Sequence, residues 1–115
     1  MTDQLDGRDL DRACAEAMGW TTKEFSSATA MVRGKELVWQ PPRYSTDPST
    51  QKEKLAWLRQ HHQCIALFCD PTEVLAGVWE DGAVLEELAV VCTTTEEALA
   101  RLVCSVAKAK KEQGK

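Results

Sequence analysis

Apolar residues recur along this chain at helical spacing in two long segments. Between Asp6 and Met18 they return about every three to four positions, and Gly19 follows as a residue suited to a left-handed helix end. Near the other end, Thr94 has capping-box spacing to Glu97 and opens a predicted helix that runs to about Lys110. The stripe that this last helix should bury consists of Leu99, Leu102, Val103, Val106 and Ala109.

A third helix is predicted from its start signal. Asp47 precedes Pro48, and a capping acid followed by proline at the first helical position is typical of a helix amino end. Helical spacing over the segment that ends at His62 groups Gln51, Leu55, Leu58 and His62 on one face. Trp57 falls outside that face, so we expect it to be exposed and to form a subunit contact, or to fold sideways over its own sheet.

The segments between the helices contain short runs of strand-forming residues. Lys35 to Gln40 lies between glycine and proline and predicts a strand at a sheet edge. The almost wholly apolar run from Cys64 to Cys69 predicts a central strand covered on both faces. Residues 21 to 34 are rich in Ser and Thr, and their apolar residues show no regular helical or strand spacing, which favours a loop or short insertion.

Asp81 and Gly82 form the dipeptide expected at a tight turn between two antiparallel strands. The predicted hairpin pairs residues 74 to 80 with residues 84 to 92, and Glu86 and Glu87 interrupt the second strand with a bulge. Together these elements predict an α+β fold, in which three helices pack on a mainly antiparallel sheet of about four strands as a two-layer or three-layer sandwich. One domain should occupy residues 1 to 110, followed by a frayed tail at 111 to 115.

Composition excludes several classes of protein. Of the 115 residues, 43% are apolar and 28% are charged, as in an ordinary globular domain. The net charge is −4 and the main basic cluster lies at the end of the chain, so duplex nucleic acid is a poor candidate partner. No apolar run reaches the roughly 18 residues of a membrane span, and the first residues are acidic where a signal peptide is basic. We therefore expect a cytoplasmic protein without membrane contact.

Catalytic and metal-binding patterns are missing from the sequence. The five cysteines are spread through apolar segments without the close pairs of a zinc site, so we expect them to fill the core. His61 and His62 lie side by side, and no phosphate-binding loop or nucleophile motif is present. The sequence therefore predicts a protein that is not an enzyme and that uses no cofactor or metal.

The most unusual segment is Trp-Gln-Pro-Pro-Arg-Tyr-Ser-Thr-Asp, residues 39 to 47. Its paired prolines stiffen the backbone, which would place Arg43 and Tyr44 on an exposed connection suited to binding. In the alternative interpretation the segment is a structural arm, with Trp39 and Tyr44 covering an edge of the core. Candidate binding residues are Trp39, Arg43, Tyr44, Asp47 and Trp57.

The order of these motifs resembles that of a family of small bacteriophage proteins, the phage ABA sandwich domain. The resemblance rests on Leu-Asp-Arg-Ala at residues 10 to 13, Ala-Met-Gly-Trp at 17 to 20, the segment at 39 to 47, and Trp-Leu-Arg at 57 to 59. It covers most of the chain and is weakest at residues 21 to 34. It implies a small α/β sandwich encoded by a phage or prophage and acting in the host bacterial cytoplasm, and it supplies no catalytic motif.

Two classes of function follow from these features. The first is a non-enzymatic protein that binds a host protein, such as an antiviral defence complex in the manner of an anti-CRISPR protein, through the aromatic segment and acids that mimic phosphates. The acids are Asp70, Glu73, Glu80, Asp81, Glu86 and Glu87. The second is a sponge for a nucleotide-like signal, held by Trp39, Arg43 and Tyr44. A further alternative is a structural or regulatory phage component that forms homo-oligomers through Trp57.

Overall fold

A computed structural model describes residues 7–62 and 64–113 and shows an α+β fold. The helices are α1 (Gly7–Ala17), α2 (Gln51–His61) and α3 (Thr95–Gln113). The first antiparallel sheet has the order β1 (Thr21–Glu24), β2 (Thr29–Arg33) and β3 (Glu36–Val38). The second, also antiparallel, contains β4 (Ile65–Cys69), β5 (Val74–Glu80), β6 (Ala83–Val84) and β7 (Val90–Cys92). In it, β5 lies between β4 on one side and β6 and β7 on the other.

The predicted helix ends are confirmed by their hydrogen bonds. Gly19 has φ +103°, and the Trp20 amide donates to the Ala15 carbonyl at 3.0 Å, which closes α1. At the start of α3, Thr94 Oγ1 accepts from the Glu97 amide at 3.2 Å. This helix continues to Gln113, three residues beyond the expected end. The remaining two residues of the predicted tail, and Asp6 at the other end, lie outside the described residues.

The core is built around α3, which contacts α1, α2, β5 and β7. Leu99, Leu102, Val103 and Val106 are completely buried, as the stripe predicted. Burying each such side chain stabilises the fold by about 1.5–3 kcal/mol relative to leaving it exposed. The same apolar cluster includes Trp20 from the start of the first sheet, so one core connects both sheets.

The prediction of a loop at residues 21 to 34 is wrong, because this segment forms the β1–β2 hairpin. Thr22 pairs with Met31 and Lys23 pairs with Ala30. Ala30 and Met31 are buried, whereas all four residues of β1 are exposed. A strand that is polar on both faces has no hydrophobic alternation, which is why its sequence gave no signal. The predicted strand that follows is confirmed as β3, at a sheet edge.

The prediction that the apolar run at residues 64 to 69 is a central strand is also wrong. It forms β4, which pairs only with β5 and is therefore an edge strand of the second sheet. Leu67 and Phe68 are 37% and 53% exposed. Cys64 and Cys69 are exposed as well, which corrects the expectation that all cysteines fill the core. An apolar run normally indicates burial on both faces, but here the helices cover one face only.

The hairpin turn at Asp81 and Gly82 is confirmed by positive φ angles of 54° and 82°. The bulge predicted at Glu86 and Glu87 is larger than expected, because the return strand leaves the sheet in a turn between β6 and β7. Gly77 in β5 makes room for this excursion, since a Cβ atom there would lie 2.8 Å from Val84 Cγ1.

Candidate binding surface

Tyr44, predicted to be exposed in the aromatic segment, is 0% exposed. Its hydroxyl donates to Glu53 Oε2 at 3.0 Å and accepts a hydrogen bond from Trp20 Nε1 at 3.1 Å. Burial, together with the Glu53 charge, raises the pKa of Tyr44 to about 12, because the phenolate would be costly there. The exposure prediction is therefore wrong, and the structural-arm interpretation holds at this residue.

Glu53 also binds Arg33, which connects the arm to the first sheet. Arg33 Nη1 lies 2.7 Å from Glu53 Oε2, and its guanidinium lies 4.6 Å from the centroid of a Trp20 ring. The hydrogen bond to Glu53 raises the pKa of Arg33. This network joins α2, β2 and the arm, so its polar groups serve the fold.

Lys54 is a second anchor of the arm, and the sequence analysis missed it. The side chain is fully buried, and its Nζ donates to the carbonyl oxygens of Tyr44 and Glu96, the latter at 3.0 Å. Burial lowers the pKa of Lys54, since the charged form loses its hydration. One signal was present: Lys54 lies four residues before Leu58 and therefore on the buried face of α2.

Two aspartates fasten the rest of the arm. Asp11 Oδ1 accepts from the Ser45 amide at 2.8 Å. Asp47 Oδ1 accepts from the Ser49 amide at 2.9 Å, which confirms its predicted role as a helix cap and lowers its pKa. The arm is thus bound to the body of the protein at Tyr44 and Ser45, and Asp47 caps the helix that follows it.

Trp39 and Arg43 remain accessible but do not share a surface with Tyr44. Trp39 is 61% exposed, and its ring lies 5.6 Å from that of Phe25 in the first sheet. Arg43 is exposed and lines a small pocket of about 160 Å³ together with Arg8 and the buried Asp11. Because the Tyr44 ring is inaccessible, these three side chains do not form the stacking site that a nucleotide ligand would need.

Trp57 is half-buried and packs against the core, so of the two predicted alternatives the exposed one is wrong and the covering one agrees with its burial. Its ring lies 4.2 Å from the ring of His61, one turn further along α2. Burial lowers the pKa of His61. Trp57 therefore serves mainly to cover the core beside α2.

Another exposed apolar surface lies on the face of the second sheet directed away from α3. We call it the outer face. Paired residues of an antiparallel sheet share a face, and the register aligns Phe68, Leu75 and Val91 across three strands. Trp79 pairs with Val84 on the same side. Phe68, Trp79 and Val91 are 53%, 42% and 55% exposed, so no described element covers them.

Acidic side chains lie in the turns and at the strand ends of the second sheet. All six acids that the sequence suggested as a binding surface are exposed: Asp70, Glu73, Glu80, Asp81, Glu86 and Glu87. No lysine or arginine occurs between Arg59 and Arg101, and the one histidine contact of these acids joins His62 Nδ1 to Glu80 Oε2 at 3.8 Å among the described residues. The Thr72 and Glu73 amides donate to Asp70 and lower its pKa, which keeps its carboxylate ionised.

A groove of about 830 Å³ lies on the other side of this sheet, beside α3. Its lining includes Leu88, Val90 and Cys104. Cys104 contacts the buried Cys14, and this contact and burial raise the pKa of Cys14 far above its usual range, so that thiol is not a nucleophile. No cluster of three metal-ligating side chains occurs in the part of the chain that the structure describes.

The character of the helices and the comparison with known proteins also bear on function. None of the helices within residues 7–62 and 64–113 combines the length and the apolar character needed to cross a bilayer. Comparison of the chain with protein-family models, curated proteins and solved structures gives no significant match. The resemblance to the phage ABA sandwich domain therefore stays a prediction.

Proposed function

We propose that this chain is a non-enzymatic protein-binding module that docks a partner on the outer face of its second sheet. The observation that carries the proposal is the row of exposed apolar side chains, which includes Phe68, Trp79 and Val91. Exposed aromatic side chains on a rigid sheet provide a large apolar contact area at low cost in conformational entropy. A contiguous apolar patch rimmed by charge is typical of a protein interface.

The charges around the outer face define the chemistry of the partner. The turns of the second sheet carry acids and no lysine or arginine, so a complementary surface would present lysines or arginines beside an apolar centre. Proteins that handle nucleic acid have such basic surfaces. This supports, as a proposal, the expectation that the partner is a host defence complex and that the acids occupy its phosphate-binding positions.

The phage origin and the cytoplasmic setting belong to the same proposal and rest on the resemblance of residues 10 to 59 to phage proteins. The alternative of a nucleotide sponge has less support, because its three candidate residues are not brought together. Trp39 and Arg43 are exposed but lie outside the second sheet, so they are not part of the proposed docking face.

The test is a comparison of variants in affinity capture from bacterial lysate. A Phe68→Ser, Trp79→Ser double variant removes the apolar centre of the outer face. A Phe25→Ser, Trp39→Ser double variant is the matched control, since it removes two exposed aromatic rings from the first sheet. A third variant, Glu73→Lys with Glu80→Lys, reverses charge at both ends of β5.

We expect basic proteins to be retained by the wild type and the control and lost by the outer-face variant. Charge reversal should weaken retention at least tenfold and reduce its dependence on salt, since it removes the long-range attraction. Retention that survives in the outer-face variant but disappears in the Phe25 and Trp39 control would overturn the proposal. Retention unaffected by charge reversal would exclude phosphate mimicry.

A further inference from the structure

The edges of the two sheets differ in how they are protected against pairing with another strand. Exposed edges attract other strands, and proteins usually block them with charged residues, proline, bulges or short length. The free edge β1 has the sequence Thr-Thr-Lys-Glu, and the other edge strands β3, β6 and β7 are only two or three residues long. The edge strand β4 is Ile-Ala-Leu-Phe-Cys, with no charge, no proline and no bulge in its pairing with β5. It is therefore the unprotected edge.

Every second residue of β4 directs its backbone N–H and C=O groups to the open side of the sheet. The Trp79 amide donates to the Cys64 carbonyl, and the Asp70 amide donates to the Glu73 carbonyl. In an antiparallel pair such bonded positions alternate with positions whose N–H and C=O groups point outward. The even-numbered residues of β4 therefore bond to β5, and the groups of Ile65, Leu67 and Cys69 are directed to the open side.

We propose that β4 pairs antiparallel with β4 of a second copy of this chain, about a two-fold axis at Leu67. This register places Leu67 opposite Leu67 and Ile65 opposite Cys69, so that all the outward groups meet each other. It would add about six backbone hydrogen bonds. It would also cover Leu67 and Phe68, which are both exposed in the single chain. A two-fold axis closes the assembly, since each copy uses the same edge strand β4.

The charges at the two ends of β4 favour a second copy in this direction. The strand follows the end of α2, where Arg59 is exposed, and it is followed by the acidic turn with Asp70 and Glu73. Parallel pairing would place the two acidic turns side by side, whereas antiparallel pairing puts them at opposite ends of the paired strands, each toward the end of the other copy that carries Arg59. The outward backbone groups and the separation of the acidic turns therefore both favour the antiparallel arrangement.

Pairing in this way would join the two outer faces into one sheet surface that presents two docking sites. The two contacts meet at Phe68, which belongs to the outer face and lies on the pairing strand, whereas Leu67 points to the opposite face, so Leu67 variants change the pairing without removing an outer-face side chain. A dimer would raise the apparent affinity for a partner that is itself repeated, since the second contact becomes intramolecular. The dimer can therefore be tested without knowing the partner.

The experiment measures mass in solution for the full chain and for charge variants at the axis. The wild type should have twice the 12.8 kDa of the chain at high protein concentration. Leu67→Lys and Leu67→Glu should each be monomeric, because two like charges would meet at the axis. Their equimolar mixture should restore the dimer, since lysine then faces glutamate. Thr22→Lys on the protected edge β1 is the matched control and should stay dimeric.

Recovery of the dimer in the mixture also shows that the single variants are folded. A wild type that remains at 12.8 kDa up to roughly millimolar concentration, where even weak associations are populated, would overturn the proposal. So would a dimer that persists in both single variants, or a mixture that stays monomeric although each variant has native circular dichroism. Dimer loss in the Thr22 variant would assign the interface to the first sheet.

Discussion

The arm at residues 39 to 47 and the outer face of the second sheet both display aromatic and apolar residues, but the fold uses them in opposite ways. The arm is held by Tyr44, Ser45 and Asp47, each with hydrogen bonds to another part of the chain or to a helix end. On the outer face, Phe68 and Trp79 have no comparable attachment and remain about half exposed. The arm, whose sequence is unusual, has a structural role, whereas the strands with an ordinary apolar sequence form the accessible surface.

This difference has a physical origin. A connection without regular secondary structure must satisfy its backbone groups through side chains, so it requires particular residues at fixed positions. A strand satisfies its backbone within the sheet, so its outward side chains are free to serve a partner. The unusual residues of the arm are therefore explained by what the fold requires of this connection. Substitutions in the two regions should separate stability from binding.

The largest effect is expected at Lys54. Lys54→Met keeps the apolar stem but removes the ammonium group that binds the carbonyl oxygens of Tyr44 and Glu96, which leaves the buried Tyr44 oxygen without its donor. Each unsatisfied buried group costs about 1–3 kcal/mol, so we expect the free energy of unfolding to fall by about 3 kcal/mol. Denaturant unfolding measures this loss. Lys52→Met, at an exposed position of α2, is the control and should change stability by less than about 0.5 kcal/mol.

The second effect is a raised pKa of the Tyr44 hydroxyl, which should ionise only at more alkaline pH than a free tyrosine. Tyr44 is the only tyrosine, so tyrosinate absorbance reports this residue alone. Its pKa is raised from 10.0 to about 12, so the folded state holds a proton that the unfolded chain loses. Its contribution to stability is complete below pH 10 and is lost as pH rises toward 12. A midpoint near 10 in the folded protein would show that the arm is open.

A smaller effect is expected for Tyr44→Phe. The substitution keeps the ring in the core and removes the hydroxyl that connects Trp20 to Glu53. We expect a loss of about 1–2 kcal/mol, because the Arg33 contact to Glu53 still compensates the carboxylate. Thermal unfolding measures it. No loss would mean that the ring alone holds the arm.

The smallest effect on stability is expected on the outer face. Val91→Thr replaces a 55% exposed side chain by one of similar shape and strand propensity. Stability should change by less than about 0.5 kcal/mol, while partner retention in the capture experiment should fall. Val103→Thr, at a completely buried position of α3, is the contrasting variant and should destabilise the fold by more than 1 kcal/mol. A large loss at Val91 would indicate that the chain itself covers this face.

The candidate surface was only partly predictable. The acids around the second sheet were recognised from their positions at predicted strand ends and are exposed. Tyr44 was placed on the wrong side of the arm, because the network that buries it joins residues 20, 33 and 53, which are distant in the chain. The apolar outer face was missed because the strand that begins it was expected to be central.

The sequence by itself determined the three helices, their ends at Gly19 and Thr94, and the turn at Asp81 and Gly82, because these depend on local spacing, capping and backbone conformation. Only the tertiary structure decided that β4 is an edge, that β1 and β2 form a hairpin, and that Lys54 and Tyr44 are buried together. These features depend on which face of each element meets α3. Such long-range packing is set by contacts between distant segments, and local sequence patterns do not record it.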